Sequence, residues 1–363
     1  MEQRGGERRF LCIMTTGLGD TLWSFPALES LRKSFPASSI VALASPLGGE
    51  LLEHNPWTDR VCVWRHPVRL WRELIEERFD TVLVFHASLR ALFPFGALLG
   101  AERLIGTAGQ NKGLDRLLTA ALPWTGGHEV ERRLDIVEAA GGKRQATRLS
   151  FFLTPEERRW AKEALPREPF ALLHPGAKDR YKVWPLARFA EVGKRLQAEG
   201  LHVVCSGAAG DGDLAPLIPG SIRLCVPVRR LAAALEAAAV AISCDTGPFH
   251  LAAAVGAPAI GLYAPTDPAR CGPWQESRAE VIRKAPTCLP CIGRRCAEPF
   301  CLYQIGVDEV VKKSLDLIYR STLRSRQGGP FERRVCSTPT GDKKTGSCLD
   351  RRSIERGDPR PID

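Results

Sequence analysis

The chain lacks any run approaching the roughly 18 consecutive apolar residues that a membrane-crossing helix needs, and it lacks the apolar core of an export signal. Residues 1–9 are charged and polar, and the apolar stretch at 10–14 is too short. A cytoplasmic protein is therefore expected. Without an export signal, the 12 cysteines are not expected to form a disulfide framework. The charge also lacks a stripe: 51 Lys and Arg against 41 Asp and Glu give +10, spread thinly and not interleaved with aromatics. That argues against a nucleic-acid partner, while an anionic lipid surface or a phosphorylated acceptor fits.

What is present is alternation. Apolar runs of strand length at 9–14, 40–44, 61–64, 81–85 and 103–106 are separated by a glycine turn at 15–20 with an amphipathic helix after it to about Phe35, and by helical patterns around Leu47, Leu70, Leu92 and Val130. This predicts a parallel sheet wrapped by helices. Arg65, Arg69, Arg72, Arg78 and Arg90 enrich this part in arginine, either as a solvated face or as a docking side for an anionic partner. Thr154, Pro155, Glu156 and Glu157 open another helix with a cap, a first-turn proline and acids suited to the dipole. Residues 166–169 read as a linker. A second series then begins, with strands at 170–173, 201–206, 240–243 and 259–263 and helices at 186–199, 231–239 and 307–323.

Two turns carry the candidate chemistry. After the strand at 240–243, Asp245, Thr246 and Gly247 supply a tight turn, Pro248 suits a first helical position, and Gly256 and Pro258 stop the helix. A strand feeding directly into a helix start is a seat for an anion, and Gly247 allows a phosphate close approach. The cations Lys178, Arg180 and Lys182, just after the strand that ends near His174, could neutralise phosphates there.

Near the N-terminus, Gly17-x-Gly19 follows a strand and opens a helix, like half of a dinucleotide fingerprint. The third glycine is missing, since position 22 is Leu, and no acidic residue closes the second strand, which argues against a nicotinamide cofactor. Asp20 stands at the C-terminal edge of that sheet, as a reactive carboxylate or as a helix N-cap. Asp211 and Asp213 mimic a metal-binding Asp-x-Asp but lie in a glycine-rich turn far from the first unit. Cys288, Cys291, Cys296 and Cys301 have spacing that could suit a structural metal, or they are reduced thiols shaping a loop.

Gly17 to Asp20, Lys182 with Trp184 and Pro185, the block from Asp245 to Ala254, and Pro265 with Thr266, Asp267 and Pro268 together resemble the ADP-heptose:lipopolysaccharide heptosyltransferase family, glycosyltransferase family nine. The resemblance spans roughly residues 9–320. It implies an α/β GT-B fold, two Rossmann-like domains facing across a cleft: residues 1–165 for a lipid-linked glycan acceptor at the membrane surface, and 166–324 for the nucleotide sugar, with a closing helix that returns to the first domain. A basic tail at 325–363 is expected to be disordered.

Position by position, the resemblance makes Asp20 the general base. Lys182, Asp245, Thr246, Gly247 and His174 become the donor site, and Gly17 and Gly19 the cleft on the acceptor side. His250 is implied to support the site without reacting. The sugar donor, ADP-heptose, is a substrate, so no cofactor and no catalytic metal is implied, and the enzyme would work in the cytoplasm, peripheral to the inner leaflet. Cys244, Phe249 and Ala264 depart from the family pattern around the donor pocket. The alternatives are a same-fold transferase with another donor or acceptor, an NAD(P)-dependent oxidoreductase, or a non-catalytic sugar-nucleotide or metal-cluster protein.

Overall fold

Among the described residues, twelve strands form two parallel six-stranded sheets. In the computed structural model, residues 8–86, 95–96, 98–111, 113–207, 214–275, 277–288 and 290–326 are described. Asp211, Asp213, Arg90, the helix expected around Leu92 and the tail from 327 lie outside them. The first sheet contains β1 (Arg9–Met14), β2 (Ser39–Ala44), β3 (Arg60–Val63), β4 (Thr81–His86), β5 (Arg103–Thr107) and β6 (Ala120–Leu122), in the order β3-β2-β1-β4-β5-β6. The second contains β7 (Phe170–His174), β8 (His202–Ser206), β9 (Ile222–Leu224), β10 (Val240–Cys244), β11 (Ala259–Tyr263) and β12 (Ala279–Arg283), in the order β12-β11-β10-β7-β8-β9. Each order reverses once, between β1 and β4 and between β7 and β10. In open parallel sheets the crevice beyond the strand ends at such a reversal is where ligands bind.

The central strands read as unbroken apolar runs because helices cover both faces: every residue of β7, β10 and β11 is buried. The turn expected at 15–20 is itself partly helical. Gly17 caps a short helix, Leu18–Leu22, and Phe25–Ser34 starts afresh with Pro26 in its first turn, where a missing N–H costs nothing. The helix Pro155–Ala164 has the full reciprocal cap between Thr154 and Glu157.

The two sheets belong to one compact unit that ends at Leu323, and apolar packing crosses between them. Phe25 stacks on Phe151 at 6.3 Å, and the Phe151 N–H donates to the Ala254 carbonyl. Both phenylalanines share a buried cluster with Leu172, Leu235 and Leu251. Arg229, on the helix Val228–Ala237, is buried and donates to the carbonyls of Glu53 and Phe152 and to the Glu157 carboxylate. The last helix, Val307–Arg326, lies against the second sheet, where the resemblance implied a return to the first. Val310, Val311 and Leu317 are buried with Leu173 and Ile242, and Asp308, Glu309 and Arg320 pair with Arg195, Lys284 and Glu280. No helix among the described residues is long and apolar enough to cross a membrane.

Candidate active site

β1 delivers the chain to the helix Leu18–Leu22, so Asp20 stands at the first sheet's reversal point, in the first turn of a helix that Gly17 caps. Its carboxylate is about one-quarter exposed. Oδ2 accepts from the Thr16 hydroxyl at 3.0 Å, and Oδ1 accepts from Arg133 Nη2 at 3.3 Å. His86, at the end of β4, stands 3.9 Å away. Burial holds His86 below the ordinary imidazole range, with Asp20 opposing that shift.

At the second reversal, Asp245 follows β10 directly and is buried. It accepts from Lys182 Nζ at 2.6 Å, and His250 Nε2 lies at 3.4 Å. Burial would raise this carboxyl, but the hydrogen bond and charge of His250 and the charge of Lys182 prevail, so it stays well below the usual carboxylate range. Burial likewise opposes the Lys182 charge, and Asp245 outweighs it, raising the ammonium. The Thr246 hydroxyl binds Ser243 and the Cys244 carbonyl instead of capping the helix Gly247–Ala254. The helix start is thus left without a side-chain cap, the state that favours an anion. His174, opposite Ser243 in the β7–β10 register, is buried against the Ser206 hydroxyl at 3.0 Å.

Trp184 aims Lys182. Its ring is fully buried, its indole N–H donates to the Ile305 carbonyl at 3.2 Å, and its backbone N–H points at the Cys244 thiol. Burial pushes that thiol up to about 12, so it stays neutral. Phe249 is accommodated by Gly261, where a Cβ would sit 2.6 Å from the ring.

The two reversal points meet. A Cβ on Gly247 would lie 2.9 Å from Leu18 Cβ, and one on Gly19 would lie 3.1 Å from the His250 ring. The His250 ring also packs edge-on against Trp23 at 4.7 Å. At Gly247 a side chain would force a shift and at Gly19 it would crowd His250, so helices of the two halves touch closely here. For Gly247 the space its missing side chain leaves is taken by Leu18, whereas the sequence suggested a phosphate. Gly17 has ordinary room.

Sequence reasoning missed a charged cluster beside Asp20. Glu129, Arg132 and Arg133 open the helix Glu129–Ala139 and are all buried. Glu129 accepts from both arginines and, through Oε1, from Arg270 of the second half at 2.9 and 3.0 Å. Next to it His128 accepts the Val130 N–H through Nδ1 and donates Nε2–H to the Gly272 carbonyl, a neutral tautomer satisfied at both nitrogens. Trp274 donates to Glu131 at 2.8 Å. A Glu–Arg pair at helical spacing resembles an ordinary surface pair, so only tertiary burial distinguishes this one.

Burial opposes ionisation of Glu129, but Arg133 and Arg132 hold its carboxyl down at about 2 against an ordinary 4.5. A depressed folded-state value means stability present above pH 4.5 and lost as pH falls towards 2, because the unfolded chain then binds the extra proton. Glu129→Gln should flatten the pH dependence of the urea midpoint within that window; an unchanged slope would remove Glu129 from the acid response.

Cys288, Cys291, Cys296 and Cys301 share one pocket with Tyr181, Pro299 and Phe300. Among the described residues no group of three or more His, Cys, Asp or Glu is arranged to hold a metal ion.

Two parallel sheets with reversal points that meet define a GT-B-type α/β protein. Comparison narrows this. Residues 67–301 match the model of glycosyltransferase family 9 (heptosyltransferase). Lipopolysaccharide heptosyltransferase 3 of Escherichia coli K12 is 30% identical over 297 residues, 71% of this chain and 83% of the relative. The solved glycosyl transferase family 9 protein of Veillonella parvula superposes with a TM-score of 0.77 at 22% identity, covering 88% of this chain and 100% of that one. The Escherichia coli heptosyltransferase solved with ADP-2-deoxy-2-fluoro heptose gives 0.66 at 19% identity, covering 85% and 99%. The chain belongs to glycosyltransferase family 9, and is a glycosyltransferase.

Proposed function

We propose that the protein transfers a heptose from ADP-heptose to the lipopolysaccharide inner core with inversion, residues 1–165 taking the acceptor and 166–324 the nucleotide sugar. The observation that carries this reading is the contact of Leu18 and Gly19 with Gly247 and His250, which puts Asp20 and the uncapped helix start on facing sides of one seam. The names of the relatives supply the sugar, the acceptor and the adenine nucleotide.

In this mechanism Asp20 takes the proton of the acceptor hydroxyl as its oxygen bonds to the anomeric carbon. The bond from that carbon to the diphosphate breaks on the opposite face, and ADP leaves. Lys182 has two N–H donors beyond the one given to Asp245. With the N–H groups at the start of Gly247–Ala254 they offset the charge growing on the diphosphate, work a divalent ion does in other transferases. Asp245 aims Lys182, and His174 and Thr246 shape the turn beneath. The reaction belongs in the cytoplasm at the inner leaflet, where a lipid-linked acceptor is presented.

The test is incubation with ADP-heptose and defined truncated core acceptors, read by mass spectrometry. Addition of one heptose, undiminished by EDTA, is expected. Turnover only with another nucleotide sugar or glycan would keep the fold and replace the substrates, and loss of activity in EDTA restored by a divalent ion would overturn the metal-free mechanism.

A further inference from the structure

Asp20 is gripped at both ends by one side chain. Arg133 is fully buried and donates Nη2–H to the Asp20 carboxylate. Its Nε–H donates at 3.1 Å to the Ser24 hydroxyl, which in turn donates to the Asp20 carbonyl at 2.9 Å. The remaining edge of the guanidinium is held by Glu129, through the main-chain carbonyl at 2.7 Å and the carboxylate at 2.9 Å. A planar fork with four partners has one orientation.

The other oxygen of Glu129 is held by Arg270, which comes from the second half. Arg270 lies in the helix Pro268–Cys271, capped by Asp267, directly after Pro265 and Thr266. Its side chain is more than half exposed, so a salt bridge there contributes little to stability by itself. What it does contribute is a link between the halves that ends, two side chains later, at Asp20.

We propose that Arg133 is a positioning residue for the Asp20 carboxylate, and that Arg270, acting through Glu129, makes this positioning depend on the second half being seated against the first. The inference rests on the reading of Asp20 as the general base. The base is then aimed only when the half proposed to carry the donor has docked, which couples donor engagement to proton removal.

The experiment is a double-mutant cycle on the full-length protein, with ADP-heptose and a core acceptor as substrates. Arg270→Ala is expected to lower kcat about tenfold, within the range of such couplings, with both KM values and the thermal midpoint nearly unchanged. Arg133→Met is expected to lower kcat about 10²-fold, the scale of a misplaced catalytic group, and Arg133→Lys to recover part of that loss. The double variant should fall no further than Arg133→Met alone, since the second change has nothing left to act through.

Fully additive losses, or an unchanged kcat in Arg270→Ala, overturn the proposal and leave the network as an adhesive between the halves. Should Arg133→Met fail to fold, Ser24→Ala takes its place in the cycle. Asp20→Asn measured alongside separates the two ideas. Transfer retained there removes the base and this inference with it, whereas transfer lost there together with additive arginine effects removes only the inference.

Discussion

Asp20→Asn should reduce kcat by about 10²- to 10⁴-fold, the span that general bases contribute, while ADP binding measured by calorimetry stays close to that of the wild type. The amide keeps the shape of the carboxylate: its oxygen can accept from Arg133 and its NH2 can donate to the Thr16 hydroxyl, so the helix Leu18–Leu22 and its packing on Gly247 are preserved. What it cannot do is take a proton. Loss of ADP binding instead would assign Asp20 to the nucleotide.

Lys182→Ala is expected to weaken ADP binding and to lower kcat by about 10²- to 10³-fold, as when one preorganised donor to a developing anion is removed. The substitution also takes the balancing cation from Asp245, a buried carboxylate that would keep His250 and the Tyr263 hydroxyl. A lone buried charge destabilises more than its pair stabilised, so part of the damage would be structural. The double variant Lys182→Ala with Asp245→Asn separates the two: the thermal midpoint should recover and turnover should not. Recovery of turnover would make Lys182 a structural partner of Asp245 and nothing more.

Much of this was legible in the chain because buried parallel strands are unbroken apolar runs. β1, β7, β10 and β11 fall where residues 9–14, 170–173, 240–243 and 259–263 predicted them. The strands overlooked lie at sheet edges. β6 and β9 are three residues long, and β12 (Ala-Glu-Val-Ile-Arg), paired on one side only, mixes charged residues among its apolar ones. The turns at Asp20 and Asp245 could be read because strand–turn–helix joins leave local signals in glycine and proline. Glu129, Arg133 and Arg270 left none. Charged residues three and four apart on a helix are common on solvated faces, and Arg270 meets Glu129 only across 141 positions of sequence. Gly247 was legible as a constraint but not as to cause, for a glycine required by Leu18 of another element looks the same in sequence as one required by a ligand.

The seam between the halves has a consequence for engineering. Arg229 is anchored to Glu53 and Phe152, Ala254 to Phe151, and Arg270 to Glu129. A chimera joined at the 165/166 boundary, exchanging whole lobes between relatives to redirect glycan choice, would sever these pairings at once. Grafts would have to carry the interlocking residues of both partners, so new acceptor preferences are better sought in the surface loops of a retained lobe than by swapping modules.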